Sequence, residues 1–133
     1  MILLDTHVWL WWLFGDGLLK LAHRDELDRL AANRQLALSW VSVWEAEMLD
    51  RKGRIILNQD FEDWITEAVN PAFITLLSAD KDVVCAQRKL SPSFHNDPAD
   101  RLIAATSILS EYPLASFDRR IIDSGDVRIH WDG

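Results

Sequence analysis

Short apolar runs alternate with longer amphipathic ones along this chain. "ILLD" (2–5) is an apolar run closed by an acid, the pattern of a buried parallel strand. "THVWLWWLFGDG" predicts a helix stopped by Gly15 and Gly17, and "LKLAHRDELDRLAANR" carries Leu19, Leu21, Ala22, Leu27, Leu30 and Ala31 at broadly helical spacing. "LALS" (36–39) reads as a strand. "SVWEAEMLDRKG" reads as a helix with Ser42 as N-cap, Glu45 completing a capping box and Gly53 as the stop. "DFEDWITEAV" is a further amphipathic helix ended by Asn70-Pro71. Beyond it come a strand in "AFITLLS", a helix in "ADKDVVCAQRKL", a helix in "PADRLIAATSILS", and strands in "PLAS" (113–116) and "VRIHW" (127–131).

Short strands separated by helices, with crossovers too long for hairpins, argue for an α/β fold whose parallel sheet is covered by helices on both faces. Such sheets place ligand sites at the carboxyl ends of their strands. Asp5 closes the first strand, Glu45 follows the second within a turn or two, and Asp118 comes two residues after "PLAS". Asp100 falls in the first turn of the helix before that strand, in "NDPADRLIAATS".

Composition narrows this picture. With 133 residues, 49% of them apolar, the chain has enough length for one core, and no linker, repeat or low-complexity tract divides it; residues 1–133 read as a single domain. The apolar N-terminal stretch is interrupted by Asp5, lacks a preceding basic segment and is far shorter than the ~20 residues a membrane span needs. The expectation is a soluble cytoplasmic protein. Cys85, the sole cysteine, sits at a helical apolar position and is expected to be a buried structural thiol. The net charge of −7 is unlike that of a protein holding nucleic acid by its overall field. Either nucleic acid is not the partner, or acids are concentrated at a metal while basic residues elsewhere meet phosphates.

Taken singly, most of the acids need no function. Asp97 before Pro98 is an N-cap followed by a first-turn proline, and Asp100 then gains a little from the helix dipole. Asp118 could cap the turn "DRRIID", and Glu45 could belong only to its capping box. Asp5 is different. It ends an apolar strand, and no Lys or Arg lies within the next fourteen positions. A carboxylate buried there costs several kcal/mol unless a charge compensates it. Four carboxylates at one sheet edge would also raise each other's pKa values, and a hard divalent cation such as Mg²⁺ or Mn²⁺ resolves that conflict. Thr6, Ser42 and Ser116 could orient the carboxylates or metal-bound water. The four histidines show no HxxxH spacing, which speaks against zinc; His7 reads as packed or capping. P-loop, dinucleotide-binding and nucleophile-elbow motifs are absent.

Four blocks, "LLDTHVWLWWL", "LSWVSVWEAEM", "HNDPADRLIAATS" and "PLASFDRRI…VRIHW", taken together resemble the PIN-domain family, in its VapC-type toxin branch. The resemblance implies a three-layer α/β/α sandwich with a central parallel sheet. It also implies Mg²⁺- or Mn²⁺-dependent endoribonuclease activity and inhibition by a cognate antitoxin within a type II toxin–antitoxin pair. On that pattern Asp5, Glu45, Asp100 and Asp118 form the metal-holding acidic quartet, and Ser116 stands where the family has Thr or Ser. Asp97, Ser42 and Thr6 would lie behind the ligands, and a homodimer is expected. The products would carry 5′-phosphate and 3′-hydroxyl ends, because water and not the ribose 2′-hydroxyl attacks.

Arg101, Arg119 and Arg120 are the basic residues nearest the site in sequence and are candidate RNA contacts, with Arg51, Lys52 and Arg54 as a second cluster. Glu47 and Asp50 make the second-strand helix more acidic than the family's usual pattern. Six of the seven tryptophans lie in apolar stretches and are expected mainly in the core, although Trp9, Trp11 and Trp12 cannot all point inward. Two other functions fit the same residues: a nuclease acting on DNA or in RNA processing, and a non-catalytic module that binds RNA or protein.

Overall fold

The computed structural model describes residues 1–131. The elements, in chain order, are β1 (Ile2–Leu4), α1 (Thr6–Phe14), α2 (Leu21–Ala32), β2 (Leu36–Ser39), α3 (Trp40–Arg51), α4 (Phe61–Ala68), β3 (Ile74–Leu77), α5 (Lys81–Ala86), α6 (Pro98–Ser110), β4 (Leu114–Ala115) and α7 (Arg119–Ser124), with a 3₁₀ turn at Gln87–Lys89 after α5. The four strands form one parallel sheet in the order β3-β2-β1-β4.

The sheet order explains the strand sequences. β1 and β2 are central, every residue in them is buried, and both are therefore apolar nearly throughout. The strand period of two divides their side chains between two cores. Ile2, Leu4, Leu36 and Leu38 pack with Trp9, Leu27, Ala31 and Ala46 on one face, while Leu3 and Ala37 pack with Ile103, Ala104, Leu114 and Ile121 on the other. The result is the expected three-layer α/β/α sandwich. No helix is long and apolar enough to cross a membrane among the described residues.

Three local expectations change. The stretch 127–131 makes only a parallel bridge between Leu114 and Ile129. β4 is two residues long, and beyond the bridge His130 Nε2 and Trp131 Nε1 are drawn to Glu26 Oε1 of α2, at 3.1 and 2.6 Å. Cys85 is exposed, because α5 is a single short helix whose one buried residue is Val83. Trp9 is fully buried, but Trp40 and Trp44 are each about half exposed, at 51% and 52%, on the outer side of α3. They lie four residues apart and so share a helix face away from the sheet.

The central strands set the stability of the fold. Replacing the fully buried Leu38 by Ala is expected to cost about 3 kcal/mol. Urea unfolding should show a lower midpoint with an unchanged slope.

Candidate active site

The carboxyl edge of the sheet collects side chains from four separate parts of the chain. β1 and β4 are neighbours, with Leu4 opposite Ala115, so the residues that follow them emerge side by side. The Asp5 amide donates to Ala115 O at 3.0 Å, and the Ser116 hydroxyl donates to Asp5 Oδ2 at 2.7 Å. Asp5 Oδ1 accepts from the Thr6 amide at 2.8 Å and so caps α1. The Asp118 amide donates to Ser116 Oγ at 3.1 Å, which ties Ser116 to both acids.

β2 flanks β1 on the other side, and α3 leaves from its end. Ser39, not Ser42, is the N-cap of α3, accepting from the Val41 amide at 3.0 Å. Glu45 therefore sits in the second turn and completes no capping box. Its Oε1 accepts from Thr6 Oγ1 instead. Ser42 Oγ lies 2.7 Å from Thr6 Oγ1. A hydroxyl has one proton, so with Thr6 giving its own to Glu45, Ser42 must donate to Thr6. The chain Ser42–Thr6–Glu45 thus fixes one acid beside another, since Thr6 directly follows Asp5.

α6 delivers the third acid. Asp97 is its N-cap, Pro98 its first residue, and the Asp100 amide donates to Asp97 Oδ1 at 3.0 Å. Asp118, the fourth acid, caps α7 by accepting from the Arg120 amide at 2.9 Å. Both capping roles foreseen for Asp97 and Asp118 are present, and both acids still lie beside the cluster. His95 had not been anticipated: its Nε2 is 2.7 Å from Asp100 Oδ2. Its Nδ1 is buried with no hydrogen-bond partner among the described residues, which favours the tautomer that donates from Nε2 to Asp100. Histidine-pair spacing gives no signal for such a residue, because its partner is a carboxylate five positions on. His95, Asp100 and Asp118 have one potential ligand atom each within 4.8 Å of one another, the only such group of three among the described residues. Asp5 and Glu45 are outside that set, although both feel the Asp100 charge.

Each of the three candidate arginines has a partner within the chain. Arg101 donates to Gln87 Oε1 and O, at 2.9 and 3.0 Å, and lies over the Phe94 ring. It pins the segment before α6. Arg119 pairs with Asp123 at 3.0 Å, one turn along α7. Arg120 Nη2 is 3.1 Å from Asp118 Oδ2 and 3.6 Å from Asp100 Oδ2. In the second basic cluster, Arg51 is paired with Glu47, which accounts for that extra acid, while Lys52 and Arg54 are exposed. His7 is exposed, not packed.

Burial dominates the electrostatics. Asp5 is pushed from its ordinary value of 3.8 up to about 6, first by burial and then by the Asp100 charge, against the hydrogen bond from Ser116. Glu45 is raised to about 7, by burial and then by Asp100, Asp5 and Asp97. Asp100 is raised by burial and by Asp97 and Asp118, with His95 opposing. For Asp118 burial also raises the pKa, but the hydrogen bonds and charge of Arg120 outweigh it and hold the group below its usual range. Neither Asp5 nor Glu45 has a Lys or Arg ion-pair partner among the described residues.

An acid whose folded pKa is raised favours its neutral form, so its contribution to stability falls as pH rises from the unfolded to the folded value. For Asp5 that window runs from 3.8 to about 6 and corresponds to at most roughly 3 kcal/mol. Asp5→Asn should therefore match the wild type near pH 3.5 and become more stable above about pH 6 in chelator-treated buffer. Urea unfolding across pH checks this.

Comparison with known proteins agrees with this architecture. Residues 2–126 match the family model described as the PIN domain. The chain is 30% identical over 120 residues to Ribonuclease VapC22 of Mycobacterium tuberculosis, covering 90% of this chain and 88% of that relative. The structure is similar to a chain of VapBC2 from Rickettsia felis, solved bound to a DNA fragment from its promoter, with TM-score 0.72, 15% identity and 99% and 100% of the two chains covered. It is also similar to a chain of a toxin–antitoxin complex from Klebsiella pneumoniae, with TM-score 0.63, 18% identity and 87% and 85% covered. At those identities the two structures speak for a shared fold alone. The family match across nearly the whole length, with a relative close enough in sequence to support it, means that this chain belongs to the PIN-domain family.

Proposed function

We propose that this chain is a metal-dependent endoribonuclease, the toxin of a type II toxin–antitoxin pair, in which Asp5, Glu45, Asp100 and Asp118 hold Mg²⁺ or Mn²⁺. The observation that carries the reading is Asp5. It is 4% exposed, it has no Lys or Arg ion-pair partner among the described residues, and burial and the Asp100 charge outweigh the hydrogen bonds and the nearby His7 that favour its carboxylate. Glu45 repeats the pattern. Leaving such groups ionisable is costly, and a hard dication is the ligand that repays the cost. The donor chemistry fits one: carboxylate oxygens of Asp100 and Asp118 lie within 4.8 Å of each other, and His95, whose Nε2 faces Asp100, orients that carboxylate.

When bound, the ion supplies a lowered pKa for water and a polarised phosphodiester. The protein's own residues supply the geometry. Ser116 fixes one oxygen of Asp5 and the Thr6 amide the other, while the Ser42–Thr6 pair fixes Glu45. His95 orients Asp100. Ser116 in place of threonine keeps the one hydroxyl these contacts use. Hydrolysis by water leaves 5′-phosphate and 3′-hydroxyl ends. The ribonuclease VapC22 likeness supports RNA as the substrate, and the toxin–antitoxin complex supports an antitoxin as partner. Half-exposed Trp40 and Trp44 on α3 support a homodimer, since exposed aromatics mark partner surfaces.

An RNA and DNA oligonucleotide panel, with Mg²⁺, Mn²⁺ and EDTA arms, tests the reading. Cleavage of RNA only, abolished by EDTA and reduced at least about 100-fold in folded Asp5→Asn, is expected. RNA cleavage by folded Asp5→Asn at the wild-type rate would sink it, and cleavage of DNA would reassign the substrate.

A further inference from the structure

Arg120 was a candidate RNA contact, yet its guanidinium is committed to the acidic cluster. It sits in the first turn of α7. Its Nε is 3.3 Å and its Nη2 3.1 Å from the two Asp118 oxygens, and Nη2 is 3.6 Å from Asp100 Oδ2. The arginine thus binds both oxygens of Asp118 and stands beside Asp100 Oδ2, the oxygen that His95 Nε2 holds at 2.7 Å. The arrangement is asymmetric: Asp5 and Glu45, deeper in the fold, receive no such cation, while the two outer acids share one. The side chain is 62% exposed, so it can leave without disturbing the core. Arg119, its neighbour, points to Asp123 on another side of the helix and is a natural control.

We infer that Arg120 is an exchangeable counter-ion, which neutralises Asp118 and Asp100 until a divalent ion binds and is then released to meet a phosphate of the nucleic acid. A guanidinium and a dication drawn to the same carboxylates compete for them and repel each other at close range. By linkage, whatever Arg120 contributes to holding the carboxylates is subtracted from metal affinity. Once displaced, the guanidinium remains tethered a few residues from the site, where a fork of donors suits a phosphate. The second half of this inference rests on the nuclease reading; the first does not.

Calorimetric titration with Mn²⁺, in the absence of RNA, tests the first half. Arg120→Gln should bind Mn²⁺ about tenfold more tightly than the wild type, as expected for losing a close positive charge at a solvated site. Arg119→Gln should stay within about twofold. Unchanged or weaker binding by Arg120→Gln, or an equal gain in Arg119→Gln, overturns the counter-ion role. At saturating Mn²⁺, Arg120→Gln should raise KM for an RNA oligonucleotide and lower the salt dependence of log KM by about one, the signature of one lost phosphate contact. An unchanged salt slope overturns the phosphate contact. A wild-type protein that binds Mn²⁺ but cuts no RNA would remove the nuclease reading, and the titration would still decide the exchange.

Discussion

Two acids, the buried Asp5 and the half-buried Glu45, neither with a Lys or Arg partner among the described residues, govern this molecule. Asp5 and Glu45 are brought together by the central strands, since Asp5 ends β1 and Glu45 rides on the helix that leaves β2. The fold offers them hydroxyls and a backbone amide but no ion pair among the described residues. Hydrogen bonds of this kind favour the ionised form, yet burial and mutual repulsion more than cancel them. The sheet, the two cores and the caps therefore form a frame that holds these acids within reach of one another's charge.

The outer acids are treated differently. Asp100 and Asp118 cap or begin helices, lie nearer solvent, and face Arg120 and His95. The cluster is thus graded, with unpaired acids inside and partly neutralised ones at the mouth. On the proposed nuclease reading, that gradation reconciles a net charge of −7 with a phosphate-bearing ligand. The negative charge is concentrated where a dication can invert it, and the nearest arginine is poised at the boundary.

Much of this was legible in the sequence, for physical reasons that differ by residue. The parallel sheet could be read because central strands buried on both faces must be apolar, as "ILL" and "LAL" are. Asp5 stood out because a charge ending such a strand has no cheap explanation. Glu45 was masked: "LSWVS" offers two serines, and only the three-dimensional path shows that Ser39 caps the helix and frees Glu45 for Thr6. His95 gave no signal, since a histidine serving a carboxylate follows no spacing rule. Arg101 and Arg120 look alike beside their acids, yet one is clamped to Gln87 and the other faces the cluster. The 127–131 segment has strand chemistry, but a two-residue β4 cannot hold it in register. Exposure of Cys85, Trp40 and Trp44 was equally unreadable, because an apolar residue on a helix reveals its face only once the neighbours are known.

The central claim is that these buried acids stand ready to exchange protons for a divalent ion, and counting protons tests it most directly. Mn²⁺ binding can be followed by calorimetry at pH 6 in two buffers of different ionisation enthalpy, and again at pH 8.5. With Asp5 near 6 and Glu45 near 7, about one proton or more should leave per ion at pH 6, falling toward none at pH 8.5. Binding that releases no protons at pH 6, or no binding at all, would contradict it.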